Sequence, residues 1–265
     1  MSKSPMGSWR NPPLAYVVAE IRLSPFYQLE RHVPEFQAEV RAQFPRTREG
    51  HVLRLEMSSD APTPVTEKVW RFFSENQRMG IDLSTRTLSL HVTEYRSFDT
   101  FCESLRLVIM AAGKTIPDLF VEQLGLRYID YILPKEGEKT FDYVVKSVHG
   151  FVPPGASAPT EVYWIASFPF VKGAVNLKVL PVLAAGSSQP PNFGPLDLAP
   201  AEPQLKAIER AQKKEPIGCI DTDRIVPVGK RFDAEELVAL FSTMHTDVSE
   251  TFKSAISDKA KDEWI

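Results

Sequence analysis

The stretch Gln123-Leu-Gly-Leu-Arg-Tyr-Ile-Asp-Tyr-Ile-Leu133 decides the predicted fold. Its tyrosines and isoleucines favour a β-strand, and apolar residues fall on both of its faces. A strand that is apolar on both sides must be covered on both sides, so we predict that it lies inside a sheet. Arg127 and Asp130 are charges within this apolar run, and buried charges are costly unless they are paired. Structural pairing of Arg127 with Asp130 is favoured over a catalytic role, and both are candidate binding residues.

The composition is that of an ordinary globular protein. Of 265 residues, 43% are hydrophobic and 25% are charged, and the formal net charge is -3. This acidic balance disfavours a general nucleic-acid-binding protein. No apolar run approaches the roughly 18 residues of a membrane span, and the N-terminus has no signal-like apolar core, so a cytoplasmic location is expected. Cys102 and Cys219 are isolated from each other, which favours two free thiols over a disulfide.

The chain before the central stretch reads as strand, broken helix, antiparallel strands and long helix. Residues 14–23 predict the first strand, and Pro34 predicts a break or a kink in the helix that follows this strand. Residues 51–95 predict a meander, since connections this short join antiparallel neighbours. Ser97 is the predicted N-cap of the long helix, and Gly113 is its predicted end.

The chain after the central stretch has a similar order of elements. A short helix is predicted at 141–148, and strands follow at 162–168, 175–180 and 218–226. Asp233 is the predicted N-cap of a final helix whose apolar stripe is more than five turns long. Between these elements the composition predicts a proline-rich flexible loop at about 181–215, which carries a short helix near its end.

Similar segments begin the last helix of each half, Tyr95-Arg-Ser-Phe-Asp-Thr-Phe and Lys230-Arg-Phe-Asp-Ala-Glu-Glu-Leu. We interpret the chain as an α+β protein with two related halves, residues 1–120 and 121–265, in one compact unit. Their antiparallel sheets would join through the first strand of each half, with the long helices on one face. This arrangement is TBP-like or helix-grip-like, and its other face would be an open, partly apolar saddle.

The chain contains no recognised catalytic motif. A phosphate-binding glycine loop, an HExxH helix, a GxSxG elbow and a Rossmann fingerprint are all missing from the sequence. The five histidines lack ligand-like spacing, so neither a metal site nor a cofactor is expected. Asp221 and Asp223 are two apart on a predicted strand and could share a divalent cation. Alternatively, they are solvated or pair with Arg127. Trp70 and Trp164 are either core residues or anchors for a partner on an exposed face.

Four short segments carry a recognisable pattern. Asn11-Pro-Pro-Leu14 leads into the first strand, Leu124–Asp130 forms the central strand, Ile220–Asp223 lies in the last strand, and Met244-His245 lies in the final helix. Together they resemble a sporadically distributed bacterial protein family of unknown function and similar length. The proline-rich stretch departs from that pattern, and the resemblance brings no catalytic residues. The patchy distribution resembles that of antitoxins, immunity proteins and phage-defence components.

Three functions follow as hypotheses. The favoured one is a non-enzymatic protein-binding or accessory protein, whose open sheet face engages a toxin or defence effector encoded nearby. The first alternative is a nucleotide- or metal-dependent small-molecule enzyme that uses Arg127, Asp130, Asp221 and Asp223 around a cation. The second alternative is a nucleic-acid-binding saddle, which the acidic charge disfavours. A homodimer is compatible with each of these hypotheses.

Overall fold

The computed structural model describes residues 9, 11–57, 62–157, 159, 162–180 and 198–264. In this part of the chain, helices pack on a single antiparallel sheet of nine strands, so the fold is α+β as predicted.

The strands are β1 (Leu14–Leu23), β2 (Arg46–Met57), β3 (Pro62–Phe73), β4 (Met79–Ser84), β5 (Thr87–Val92), β6 (Phe120–Ile132), β7 (Trp164–Pro169), β8 (Ala174–Leu180) and β9 (Gly218–Arg231). From one edge of the sheet to the other, their order is β2-β3-β4-β5-β1-β6-β9-β8-β7. The α-helices are α1 (Val33–Val40), α2 (Phe98–Thr115), α3 (Glu202–Gln212), α4 (Ala234–Ala255) and α5 (Asp258–Trp264). Short 3-10 helices span Leu29–Arg31, Thr140–Tyr143 and Lys146–Val148, and the last two replace the predicted helix at 141–148.

The central strand lies where the sequence predicts it. β6 pairs with β1 on one side and with β9 on the other, so Tyr128 lies opposite both Val17 and Thr222. Leu126 faces the core beneath the long helices, whereas Ile129 packs against the opposite layer. Both faces are therefore covered, as the apolar pattern requires.

The long helices α2 and α4 pack against each other and cover one face of the sheet, which we call the helix face. Both begin at predicted N-caps. The Ser97 hydroxyl accepts a hydrogen bond from the Thr100 amide at 3.2 Å, and the Asp233 carboxylate accepts one from the Glu236 amide at 3.0 Å. These side chains satisfy amides that would otherwise have no partner in the first turn. Phe241 of α4 is fully buried in the core between the helices and the sheet.

The opposite face, which we call the open face, is covered in part. Helix α3 packs there through Ala207 and Ala211, against Ile129 and Tyr131 of β6. The prediction of a face without helices is wrong at this end, because these apolar side chains need cover. Within the described residues, the rest of this face carries no helix.

The predicted end of the long helix α2 is also wrong, because Gly113 lies inside α2, which continues to Thr115. The break predicted at Pro34 is present, since a 3-10 helix ends at Arg31 and α1 begins at Val33. Pro34 lies in the first turn of α1, where its missing N–H breaks no helical hydrogen bond. The short helix predicted near the end of the 181–215 loop is α3, and residues 181–197 lie outside the described part of the chain.

Two predictions from composition are met in the structure. Cys102 and Cys219 are both free thiols, and Cys219 is buried. Among the described residues, no helix combines the length and the apolar character that a membrane span requires.

Candidate functional site

The open face carries a concave region of about 350 Å³, which we call the polar groove. It crosses the strands on both sides of the β1–β6 pair. The lining side chains that matter for its chemistry are Glu20, Arg22, Asp82, His91, Arg127 and Asp223. A groove across the middle of a sheet draws side chains from alternate positions of several strands.

Arg127 and Asp221 form the strongest ion pair at this groove. The guanidinium donates from Nε to Oδ1 at 2.7 Å and from Nη2 to Oδ2 at 2.8 Å, and the Lys178 ammonium donates to Oδ2 at 3.2 Å. The three residues lie on adjacent strands, and Asp221 is only 3% exposed. The hypothesis that Asp221 pairs with Arg127 is therefore confirmed, and this carboxylate is already occupied by two cations.

Asp223 lies two residues further along β9, on the same face, directly opposite Arg127. It accepts a hydrogen bond from Asn176, and burial raises the pKa of its carboxyl although Arg127 opposes that rise. The two aspartates do share a face, as predicted. Among the described residues, however, no three potential metal ligands come together.

A second polar network joins β1 to β5. The Tyr16 hydroxyl lies 2.5 Å from Nδ1 of His91, and the Ser89 hydroxyl lies 2.7 Å from Nε2 of the same ring. The order serine, histidine, tyrosine has the form of a nucleophile, its base and an orienting group. Burial lowers the pKa of His91 to about 3, however, which makes the imidazole a very weak base. The network is therefore better suited to holding the groove in shape than to catalysis.

A third polar interaction at the groove joins Arg71 to Asp82. Nε of Arg71 lies 3.1 Å from Oδ1 of Asp82, which is 5% exposed. Burial raises the pKa of Asp82 in spite of this partner. The buried polar side chains of the groove are thus held by one another, and their positions are set before any ligand arrives.

Asp130 does not belong to this groove. It lines a smaller cavity of about 80 Å³ on the helix face, together with Tyr95, Tyr128 and His245; we call this cavity the Asp130 pocket. The hypothesis that Arg127 pairs with Asp130 is wrong, because residues three apart on a strand point to opposite faces.

The Asp130 pocket contains a buried carboxyl and a buried imidazole nitrogen that has no hydrogen-bond partner among the described residues. No hydrogen bond or ion pair joins the Asp130 carboxyl to another described residue; this side chain is 4% exposed, and burial raises its pKa well above the usual value. Nδ1 of His245 lies 2.7 Å from the Tyr128 hydroxyl, but its buried Nε2 has no hydrogen-bond partner. Burial lowers the pKa of His245 to about 4, so the ring is neutral near pH 7. Unpartnered buried polar groups are uncommon in folded proteins.

The two tryptophans lie apart from both sites. Trp70 is 5% exposed in the helix-face core, with the Lys68 ammonium 5.0 Å from its ring centroid, so it is a core residue. Trp164 is partly buried on edge strand β7, with its ring 6.3 Å from that of Phe168. Of the two, only Trp164 has an exposed fraction that a partner could contact.

Sequence reasoning missed the Tyr16, Ser89 and His91 network and the polar side of the Asp130 pocket. One signal for the network was present. The alternation of Leu88, Leu90 and Val92 assigns Ser89 and His91 to the other face of β5. No comparable signal links Tyr128 to His245, which are 117 residues apart in the chain.

Comparisons of the chain with protein-family models, with curated proteins and with solved structures find no match. Function therefore has to be inferred from the groove and the pocket. The groove offers prearranged charges and hydrogen-bonding groups over a wide area. The pocket offers one enclosed carboxyl among aromatic rings.

Proposed function

We propose that this chain is a non-enzymatic protein-binding module whose polar groove holds an extended segment of a partner protein. The observation that carries the proposal is the polar groove itself, a concave sheet face whose buried charges are already paired. Paired charges in fixed positions favour binding, because their side chains lose little conformational entropy when a partner binds. An acid–base catalyst would instead need a group with a pKa near the working pH, and burial takes His91 far below that range.

The groove also has exposed charges that a partner can reach. Glu20 and Arg22 are two positions apart on the same face of β1, and their side chains are 40% and 51% exposed. Their charged atoms lie 3.9 Å apart, which is a weak pairing in water. Such rim charges set specificity and association rate when a protein of complementary charge binds.

The charge of the groove supports a protein partner over a nucleic acid. Four carboxylates line it, from Glu20, Glu67, Asp82 and Asp223, against two guanidinium groups, from Arg22 and Arg127. Phosphate backbones bind where cations are in excess. A peptide segment carrying charges of both signs is the better match.

We further infer that the two halves of the chain are related by duplication. Support comes from the strand order, in which β1 and β6 are antiparallel neighbours at the centre. Outward from them, β5-β4-β3 and β9-β8-β7 follow in equivalent order, and α2 and α4 follow β5 and β9. A TBP-like saddle of this kind presents a broad concave face to a partner. In line with the resemblance of the sequence, the partner expected is a toxin or defence effector encoded nearby.

Site-specific photo-crosslinking tests the proposal. A photoreactive phenylalanine analogue is placed at Arg22 in the groove and, as a control, at Met110, which is 44% exposed on α2. Each version is co-expressed with the proteins encoded beside its gene. We expect a crosslink to one of these proteins from position 22 and none from position 110.

A charge reversal complements the crosslinking. Arg22→Glu should weaken the complex several-fold, whereas Arg106→Glu, a matched change on the helix face at a side chain of 49% exposure, should leave it unchanged. A complex that forms equally with both variants, or that crosslinks only from position 110, would rule out the groove as the binding surface.

A further inference from the structure

The Asp130 carboxyl is a buried acidic group on the helix face. It is 96% buried, lines the Asp130 pocket, and makes no ion pair or hydrogen bond with another described residue. A carboxyl in this position is stable only if it holds a proton or meets a cation. Nε2 of His245 has no hydrogen-bond partner among the described residues, and in the neutral tautomer whose Nδ1–H donates to the Tyr128 hydroxyl it can accept a hydrogen bond.

Aromatic rings form much of the pocket wall. On one side, the rings of Trp9 and Phe252 lie 5.6 Å apart. On the other side, the rings of Tyr95 and Tyr128 lie 5.8 Å apart. Ring faces attract cations, and the attraction grows when the cation is removed from water. Aromatic walls around an unpaired carboxyl therefore favour a positively charged ligand over a neutral or negative one.

Among the described residues, the titratable and charged groups that line the pocket do not form an ion pair with Asp130. Tyr128 lies on the same strand, Tyr95 and Arg96 come from the segment between β5 and α2, and His245 comes from α4. Among the described residues that line the pocket, Arg96 is the only permanent cation, but its guanidinium lies 4.0 Å from the carboxylate of Glu94, and its side chain is 76% exposed. The negative charge of Asp221, on the other side of the sheet, also raises the pKa of the Asp130 carboxyl.

We propose that the Asp130 pocket binds a small primary alkylammonium ion, with Asp130 as its counter-ion and the aromatic rings as its walls. The N–H groups of a primary ammonium can donate to the Asp130 carboxylate and, in the tautomer whose Nδ1–H donates to the Tyr128 hydroxyl, to Nε2 of His245. A cavity of about 80 Å³ holds roughly five non-hydrogen atoms, at about 15 Å³ for each water-sized group. The n-butylammonium ion, with four carbons and one nitrogen, has that size.

Binding of the ion is coupled to release of a proton. Burial raises the pKa of the Asp130 carboxyl, which favours its protonated form in the empty pocket. The ammonium ion favours the carboxylate, so the proton leaves to solvent as the ligand enters. Each ion bound should therefore release up to one proton, and the measured heat should vary with the ionisation enthalpy of the buffer.

Isothermal titration calorimetry of the full chain with n-butylammonium chloride tests the proposal. We expect binding at millimolar concentrations, with at least about tenfold weaker binding of 1-butanol, which has the same size without the charge. Tetramethylammonium should also bind more weakly, since it has no N–H group to donate. Heats measured in two buffers of different ionisation enthalpy should show the released proton.

Two variants and a matched control assign the effect to the pocket. Asp130→Asn keeps the shape and removes the charge, so it should weaken n-butylammonium binding at least about tenfold and abolish proton release. Trp9→Ala removes one wall and should weaken binding about threefold. Asp118→Asn, the same change at a side chain of 80% exposure, should leave binding unchanged. Thermal melts confirm that each variant is folded.

Three outcomes would overturn the proposal. The first is no heat of binding for n-butylammonium, and the second is equal affinity for 1-butanol. The third is an Asp130→Asn variant that binds as tightly as the original chain.

Discussion

Replacing Arg127 by methionine tests the ion pair at the centre of the open face. The change keeps an unbranched apolar stem but leaves Asp221, 3% exposed, with Lys178 as its remaining cation at 3.2 Å. Removing one partner of a buried ion pair costs about 3–5 kcal/mol. Since the Arg127 side chain is 28% exposed and Lys178 stays in place, we expect the free energy of unfolding to fall by about 2–3 kcal/mol.

Equilibrium urea denaturation measures this loss, with the midpoint and the slope reported separately. Arg22→Met is the matched control on the same face. Its guanidinium is exposed and lies 3.9 Å from Glu20, so the loss should stay below about 0.5 kcal/mol. The double variant Arg127→Met/Asp221→Asn should recover part of the stability, because no buried charge is left without its partner.

Two results would refute this reasoning. If Arg127→Met and Arg22→Met lose the same stability, burial does not strengthen the Arg127 pair. If the losses from Arg127→Met and Asp221→Asn simply add, the two side chains are not coupled.

Three further predictions concern stability and are read out by urea or thermal unfolding. Gly173 has φ +78, and a methyl group there would overlap the Ile225 carbonyl, so Gly173→Ala should cost at least about 1 kcal/mol more than Gly137→Ala, where φ is +81 and the space is open. Phe241→Ala should lower the free energy of unfolding by about 3–5 kcal/mol, since the ring is fully buried. Because burial raises the folded-state pKa of Asp130, its carboxyl reduces stability as the pH rises above its unfolded pKa of about 3.9. Asp130→Asn should therefore raise the urea midpoint at pH about 8, and this advantage should vanish near pH 4.

Features of the fold that depend on local pattern were predictable. The position of β6 follows from apolar residues on both faces, and the starts of α2 and α4 follow from Ser97 and Asp233. The role of Pro34 was harder, because proline both ends helices and begins them. The place of α3 on the open face depends on which apolar patch still lacks cover after the other elements have packed.

The candidate sites were less predictable than the fold. Arg127 and Asp221 could be named as partners because buried charges need compensation, and the structure pairs them. The proposed pairing with Asp130 failed because strand geometry separates the two side chains across the sheet. The hydrogen bond between Tyr16 and His91 depends on how β1 pairs with β5, and a shift of one residue would move either side chain to the other face.

The sequence alone determined the α+β class, the interior position of the Arg127 strand, the helix caps and the two free thiols. These properties follow from side-chain pattern and short-range chemistry, which the order of residues contains directly. Only the tertiary structure decided that Arg127 and Asp130 serve different sites, and that Asp130 meets His245 in a pocket. Those outcomes depend on strand register and helix docking, where contacts between distant residues compete for the same surface.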